Sequence, residues 1–181
     1  ILQHPDAKKP VWVVTEKLDG TSSTYFWREG NFGVCSRNLE LKMDDEGNAY
    51  VQMAHSAGIK HKLCLLERNL ALQGEIIGPG IQKNKYNLAE PTIRFFRIFD
   101  IDKYSIVPFA DFKSLLTELE MPSVPIIDEN FILPDTVDEL VEFSKGAGAY
   151  GTLSEREGVV IRHKFENISF KVINPEFLLK H

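Results

Sequence analysis

Apolar positions change their spacing several times along the chain, and each change predicts an element. Val11-Trp12-Val13-Val14 is a β-branched and aromatic run, and Asp19-Gly20-Thr21 supplies turn chemistry shortly after it. A strand is therefore predicted to end near Lys17. Alternation resumes through Ser23-Thr24-Tyr25-Phe26-Trp27, breaks at Arg28-Glu29-Gly30-Asn31 and returns in Phe32-Gly33-Val34-Cys35-Ser36, which predicts a hairpin. Glu46 to Gly58 has the mixed spacing and closing glycine of a short capped helix. Ile59 to Asn69, with Ile59, Leu63 and Leu66 apolar, predicts a second one.

Ala71 to Ile77 reads as a strand running into the Gly78-Pro79-Gly80 turn. Ile93 to Ile101 is apolar and aromatic, but Arg94 and Arg97 spoil its alternation, so at least one of them is expected to face a polar site. Phe109 to Glu120 carries Leu115, Leu116 and Leu119 at helical spacing, and Met121-Pro122 stops it. Val124 to Ile127 predicts a short strand. Thr136 to Lys145 predicts a helix, with Thr136 and Glu139 spaced as a capping box. A loop over 146–151 precedes two closing strands, Gly158 to Arg162 and Ile168 to Val172. Without regular βαβ spacing, the fold class expected is α+β: mixed, largely antiparallel sheets flanked by helices.

Composition narrows the class. The 181 residues, 43% hydrophobic and 26% charged, suffice for one substantial core. No apolar run approaches the roughly 20 residues of a membrane span, and no signal-peptide pattern opens the chain. No membrane partner is expected, and an intracellular, cytoplasmic monomer is. Cys35 and Cys64 have no metal or disulfide spacing and are expected to be reduced, in or near the core. A net charge of −5 argues against general charge-driven nucleic-acid binding, yet Lys60-His61-Lys62 and the pair Lys83 and Lys85 leave room for a local basic groove. The first residue is Ile1, not methionine, and a further domain at either end stays open.

Lys17, Arg37, Glu75, Asp100, Glu157 and Lys171 all fall in or beside apolar strands, where charge is costly unless paired; together they suggest a shared polar site. Lys-x-Asp-Gly by itself reads equally as a hairpin turn with a solvated lysine or as a nucleophile set against a phosphate. A lysine amine, with an ordinary pKa near 10.4, is mostly protonated at neutral pH, so an attacking lysine needs neighbouring cations to depress that value.

Six segments, in order over nearly the whole chain, resemble the motifs of the nucleotidyltransferase (adenylation) domain of covalent polynucleotide ligases, most closely the RNA ligases. They are Glu16-Lys17-Leu18-Asp19-Gly20, Ser36-Arg37-Asn38, Gly74 to Gln82, Phe96 to Ile101, Arg156 to Arg162 and Ser169-Phe170-Lys171-Val172. The Gly78-Pro79-Gly80-Ile81-Gln82 stretch leans toward RNA ligase over DNA ligase or capping enzyme. The resemblance implies that Lys17 attacks the α-phosphorus of ATP to give lysyl-AMP, that AMP passes to a 5′-phosphate, and that a 3′-hydroxyl then displaces it. It implies Mg²⁺ or Mn²⁺ placed with the help of Glu157, and phosphate contacts from Lys171 and Arg37. Glu75 would bind a ribose hydroxyl, Phe99 would stack on adenine, and Glu16 would help to recognise the base. The implied partner is RNA, at a nicked duplex with RNA on the 3′-hydroxyl side. Residues 1–181 would form the catalytic domain, with any accessory domain outside them.

Taken singly, Phe99 could be a core aromatic, Glu75 a strand-end salt bridge, Glu157 a solvated turn partner of Arg156 and Lys171 a solvent-facing residue. The last motif often has two lysines one residue apart. Ser169-Phe170-Lys171 keeps only the second, with Lys164 or Arg162 as stand-ins. Rival readings are an ATP-dependent DNA ligase, a GTP-dependent capping guanylyltransferase, and a nucleotide- or RNA-binding relative without catalysis.

Overall fold

The structure, a computed structural model, describes residues 1–150 and 155–180; Gly151, at the end of the predicted loop, lies outside them. In chain order the elements are β1 (Trp12–Glu16), β2 (Thr21–Arg28), β3 (Asn31–Cys35), β4 (Glu40–Leu41), α1 (Ala49–Ser56), α2 (Ile59–Leu65), β5 (Leu70–Ile77), β6 (Thr92–Asp100) and β7 (Ser105–Ile106). Then come α3 (Phe109–Glu118), β8 (Ile126–Phe131), α4 (Val137–Ser144), β9 (Gly158–His163), β10 (Ser169–Ile173) and α5 (Pro175–Lys180). The chain forms two compact units. One comprises Ile1–Asp19, Lys85–Asn87 and Val124–His181, the other Gly20–Asn84 and Leu88–Ser123. Both sheets are antiparallel, as the pattern predicts.

The first unit holds a four-stranded sheet in the order β10-β9-β1-β8. All five residues of β1 are buried, which is why its first three, Trp12-Val13-Val14, read as a continuous apolar run rather than an alternating one, and its last two, Thr15 and Glu16, are buried polar groups. Its core joins Trp12, Val14, Leu133, Leu140, Val159 and Ile161. The predicted capping box opens α4: Thr136 Oγ1 accepts the Glu139 N–H, and the Glu139 carboxylate accepts the Thr136 N–H. At the far end of this sheet, His163 Nδ1 accepts the N–H groups of Phe165 and Glu166. Its Nε2 therefore carries the proton facing Asp6 Oδ2 at 3.3 Å.

The second unit holds a six-stranded sheet in the order β4-β3-β2-β5-β6-β7, with residues of α1, α2 and α3 packed into its core beside Tyr25, Leu72, Phe95 and Ile98. The β2–β3 turn places Glu29 and Gly30 at φ of 50° and 80°, the mirror-image turn whose twist matches that of the strands. Helix α1 is shorter than its pattern. Asn48 caps it by accepting the Tyr50 N–H at 3.0 Å, and Gly58, at φ 62°, turns the chain into α2. Helix α2 stops at Leu65 rather than Asn69, because Glu67 is left-handed and Leu70 already pairs with Trp27 and Asp100. Cys64 lies exposed on this helix, against the core position expected; Cys35 is half-buried.

The arginine pair has a geometric explanation. Gln73 pairs with Arg97 but Gly74 pairs with Phe95, so Phe96 is an extra residue and the strand bulges. Ile93 and Phe95 before the bulge, and Ile98 and Asp100 after it, are buried. Arg94, Arg97 and Phe99 share the opposite, half-buried face.

Candidate active site

In the first unit, the Lys17 N–H donates to Gly158 O at 3.0 Å, extending the β1–β9 ladder one residue past the end of β1. Side-chain alternation then puts Lys17 on the face of Val13 and Thr15. Lys171 pairs with Val160, and Val160 with Thr15, so Lys171 presents to the same face from the exposed edge strand β10. Arg162 shares that face and donates to Thr15 Oγ1 at 3.1 Å. For Lys164, the other stand-in, Nζ donates to Pro10 O and Asn130 Oδ1.

Lys17 Nζ lies 2.5 Å from Glu157 Oε1, with the two side chains only 21% and 14% exposed. Glu157 is thus no solvated turn residue. Burial pushes its carboxyl up from the ordinary value, and the Lys17 ammonium only partly counters this. Among the described residues, its buried Oε2 has no hydrogen-bond partner. The flanks of Glu157 are pinned. Asn174, fully buried, donates its N–H to Glu157 O and its Nδ2 to Arg156 O. The Arg156 guanidinium donates to the carbonyls of Phe143, Ser144 and Lys145, satisfying orphan acceptors at the C-terminus of α4.

Glu16 is buried, and desolvation pushes its carboxyl up. Its Oε2 accepts the Ala149 N–H at 2.9 Å, while Oε1 has no partner among the described residues. Asp19 is ion-paired to Lys85, and its N–H donates to the Tyr86 hydroxyl at 2.6 Å. Lys85 also sits 4.8 Å from the ring centre of Phe177. Tyr86 is buried, and desolvation raises its phenol well above the ordinary value.

In the second unit, the Glu75 carboxylate accepts the Gly20 N–H at 3.2 Å. A Cβ on Gly20 would collide with the Ile76 carbonyl and Ile77, so close packing against β5 requires glycine here. Glu75 stands between Ser22 and Arg94 in the sheet register. Phe99, half-buried, meets Tyr104 edge-to-face at 5.5 Å on the side away from the core. Arg37 is exposed in the turn closed by the Ser36 N–H to Leu39 O bond. Asp100 has a local duty instead of the shared one predicted: it accepts the Lys103 N–H and faces Arg68 and Lys103.

The structure therefore joins Lys17 to Glu157, gives Lys171 the same sheet face as Lys17, and gives Asp100 the local partners Lys103 and Arg68. Sequence reasoning missed Lys85, Tyr86, Asn174 and the clamping role of Arg156. Lys85 had signalled only as one of a basic pair, and a buried tyrosine beside the motif turn leaves no local pattern.

The sequence model of the family described as RNA ligase matches residues 10–173. The chain belongs to the RNA ligase family. Among solved structures, this RNA ligase domain is similar to Naegleria gruberi RNA ligase. A lysine-to-alanine mutant of that protein with ATP and Mn matches at 34% identity and a TM-score of 0.91, over 97% of this chain and 53% of that one. The same values hold for a lysine-to-methionine mutant with AMP and Mn. The protein with PPi matches at 34% and 0.90, over 98% and 54%. The chain thus spans about half the length of these relatives. No curated protein matches it.

Proposed function

We propose that this RNA ligase domain uses Lys17 to attack the α-phosphorus of ATP. The N–P bond forms as the bond to pyrophosphate breaks, leaving lysyl-AMP. AMP then passes to a 5′-phosphate end of RNA, and a 3′-hydroxyl displaces it to seal the strand, at nicks in a duplex. The observation that carries this reading is the enclosed pair of Lys17 Nζ and Glu157 Oε1 at 2.5 Å. It holds the amine in one place, and the buried carboxylate is positioned to receive the ammonium proton that must leave before attack.

The unpartnered Oε2 of Glu157 fits a divalent cation, Mg²⁺ or Mn²⁺, and the solved relative carrying ATP and Mn supports that choice. When bound, such an ion offsets phosphate charge and favours the neutral amine. Lys171 is proposed to neutralise the phosphate and Arg37 to contact it. Glu75 is proposed for the ribose, Phe99 for stacking on the base and Glu16 for its recognition, all on their motif positions.

Intact-mass measurement after exposure to ATP with Mg²⁺ or Mn²⁺ should show the addition of one AMP, absent in Lys17→Ala. Sealing of nicked duplexes should favour an RNA over a DNA 3′-hydroxyl strand. Strong labelling by GTP but not ATP overturns the proposal.

A further inference from the structure

A cavity of about 370 Å³ opens on the second unit, lined by Trp27, Ala54, His55, Gly58, Lys60, His61 and Cys64. Trp27 comes from β2, His55 from the last turn of α1, and Lys60, His61 and Cys64 from a shared side of α2. The Lys60-His61-Lys62 cluster noted in the sequence is divided by the fold. Lys62 turns to donate to Glu120 O, whereas Lys60 and His61 stay exposed at the cavity. Its lining combines a large aromatic side chain with a lysine and two histidines and, among the described residues, contains no carboxylate, in a chain whose net charge is −5. Such a combination suits a ligand with a flat apolar part and a negative charge, and the volume is in the range of small-ligand sites. Aromatic platforms beside cationic side chains are the recurring means of holding single-stranded nucleic acid.

We infer that this cavity is an accessory site for one nucleotide of an RNA strand, its base against Trp27 and its phosphate against Lys60 and His61. The inference rests on RNA being the substrate. None of its residues belongs to the candidate active site, so the two readings are separable by experiment.

Cys64 lines the cavity and is exposed, which makes it a local reporter, and half-buried Cys35 serves as the internal reference. Alkylation of the chain by a maleimide, read peptide by peptide, should slow at Cys64 when a single-stranded oligoribonucleotide is added. The double variant Lys60→Glu, His61→Ala should lose this protection and bind the oligonucleotide about tenfold more weakly, with a shallower salt dependence. AMP attachment from ATP should be unchanged in that variant. Trp27→Phe, which keeps a half-buried aromatic side chain packed against the core, should weaken binding less, by roughly two- to fivefold. Equal Cys64 labelling rates with and without RNA, or unaltered affinity in the double variant, overturn the inference. So does protection by AMP alone as strong as that by the oligonucleotide, which would mean a mononucleotide site. Failure of AMP attachment in the unaltered chain would instead strike the proposed activity.

Discussion

The two units treat charge in opposite ways. In the first, carboxylates are drawn into the interior: Glu16 is buried, Glu157 is enclosed with Lys17, and both are pushed toward the protonated form by desolvation. Its apolar core is small, and the backbone around these groups is held by polar clamps from Arg156 and Asn174. In the second unit an extensive apolar cluster takes in side chains of three helices and of the central strands, and Glu75, Arg94 and Arg97 stay half-buried on the other side of the sheet. Burying an ionised group is tolerable only where partners meet it, so a site made of enclosed charges sacrifices stability that must come from elsewhere in the chain. The second unit thus holds the larger apolar cluster, and the first holds the enclosed Lys17–Glu157 pair on which the proposed reaction rests.

The largest effect should come from cutting into that apolar cluster. Leu72→Ala, at a fully buried position, is expected to cost about 2–5 kcal/mol in urea unfolding. A loss well under that range would show that the second unit does not carry the stability assigned to it. A smaller effect is expected from Thr136→Ala in the first unit, roughly 1 kcal/mol by the same measurement, because the α4 cap is lost while its core contacts remain.

The subtlest test concerns buried charge. Because the folded state raises the Glu16 carboxyl above its ordinary value of 4.5, that state binds the proton more tightly than the unfolded chain. Stability from this group is therefore fully present at low pH and falls as pH rises from 4.5 through the raised value. Glu16→Gln, which keeps an oxygen for the Ala149 N–H, should remove that fall: melting temperatures should match at acid pH and favour the glutamine variant at neutral pH. A variant that instead loses stability progressively toward neutral pH would mean that the ionised carboxylate has a stabilising partner.

Much of this was legible in the chain. The hairpin, the capping box of α4 and the strand ending at Lys17 follow from local turn and cap chemistry, which acts over a few residues and leaves a sequence mark. Helix limits were less legible, since α2 is cut short by strand pairing at Leu70 that no local signal announces. Polar residues beside apolar strands drew attention to Lys17 and Glu157, which pair with each other, and equally to Asp100, whose partners are the nearby Lys103 and Arg68, because a charge costs the same to bury whichever partner meets it.

By itself, the sequence determined the order of the longer elements, though not β4, β7 or α5, together with the antiparallel α+β class and the family motifs, because these depend on side-chain period, turn residues and short spacings. Tertiary structure alone decided three things. The bulge at Phe96 put Arg94, Arg97 and Phe99 on one face. Contact across 140 positions of chain brought Lys17 to Glu157. The packing of α2 sent Lys62 one way and left Lys60 and His61 at the cavity. Each depends on register or long-range proximity, which is fixed by how the whole core closes rather than by any window of residues.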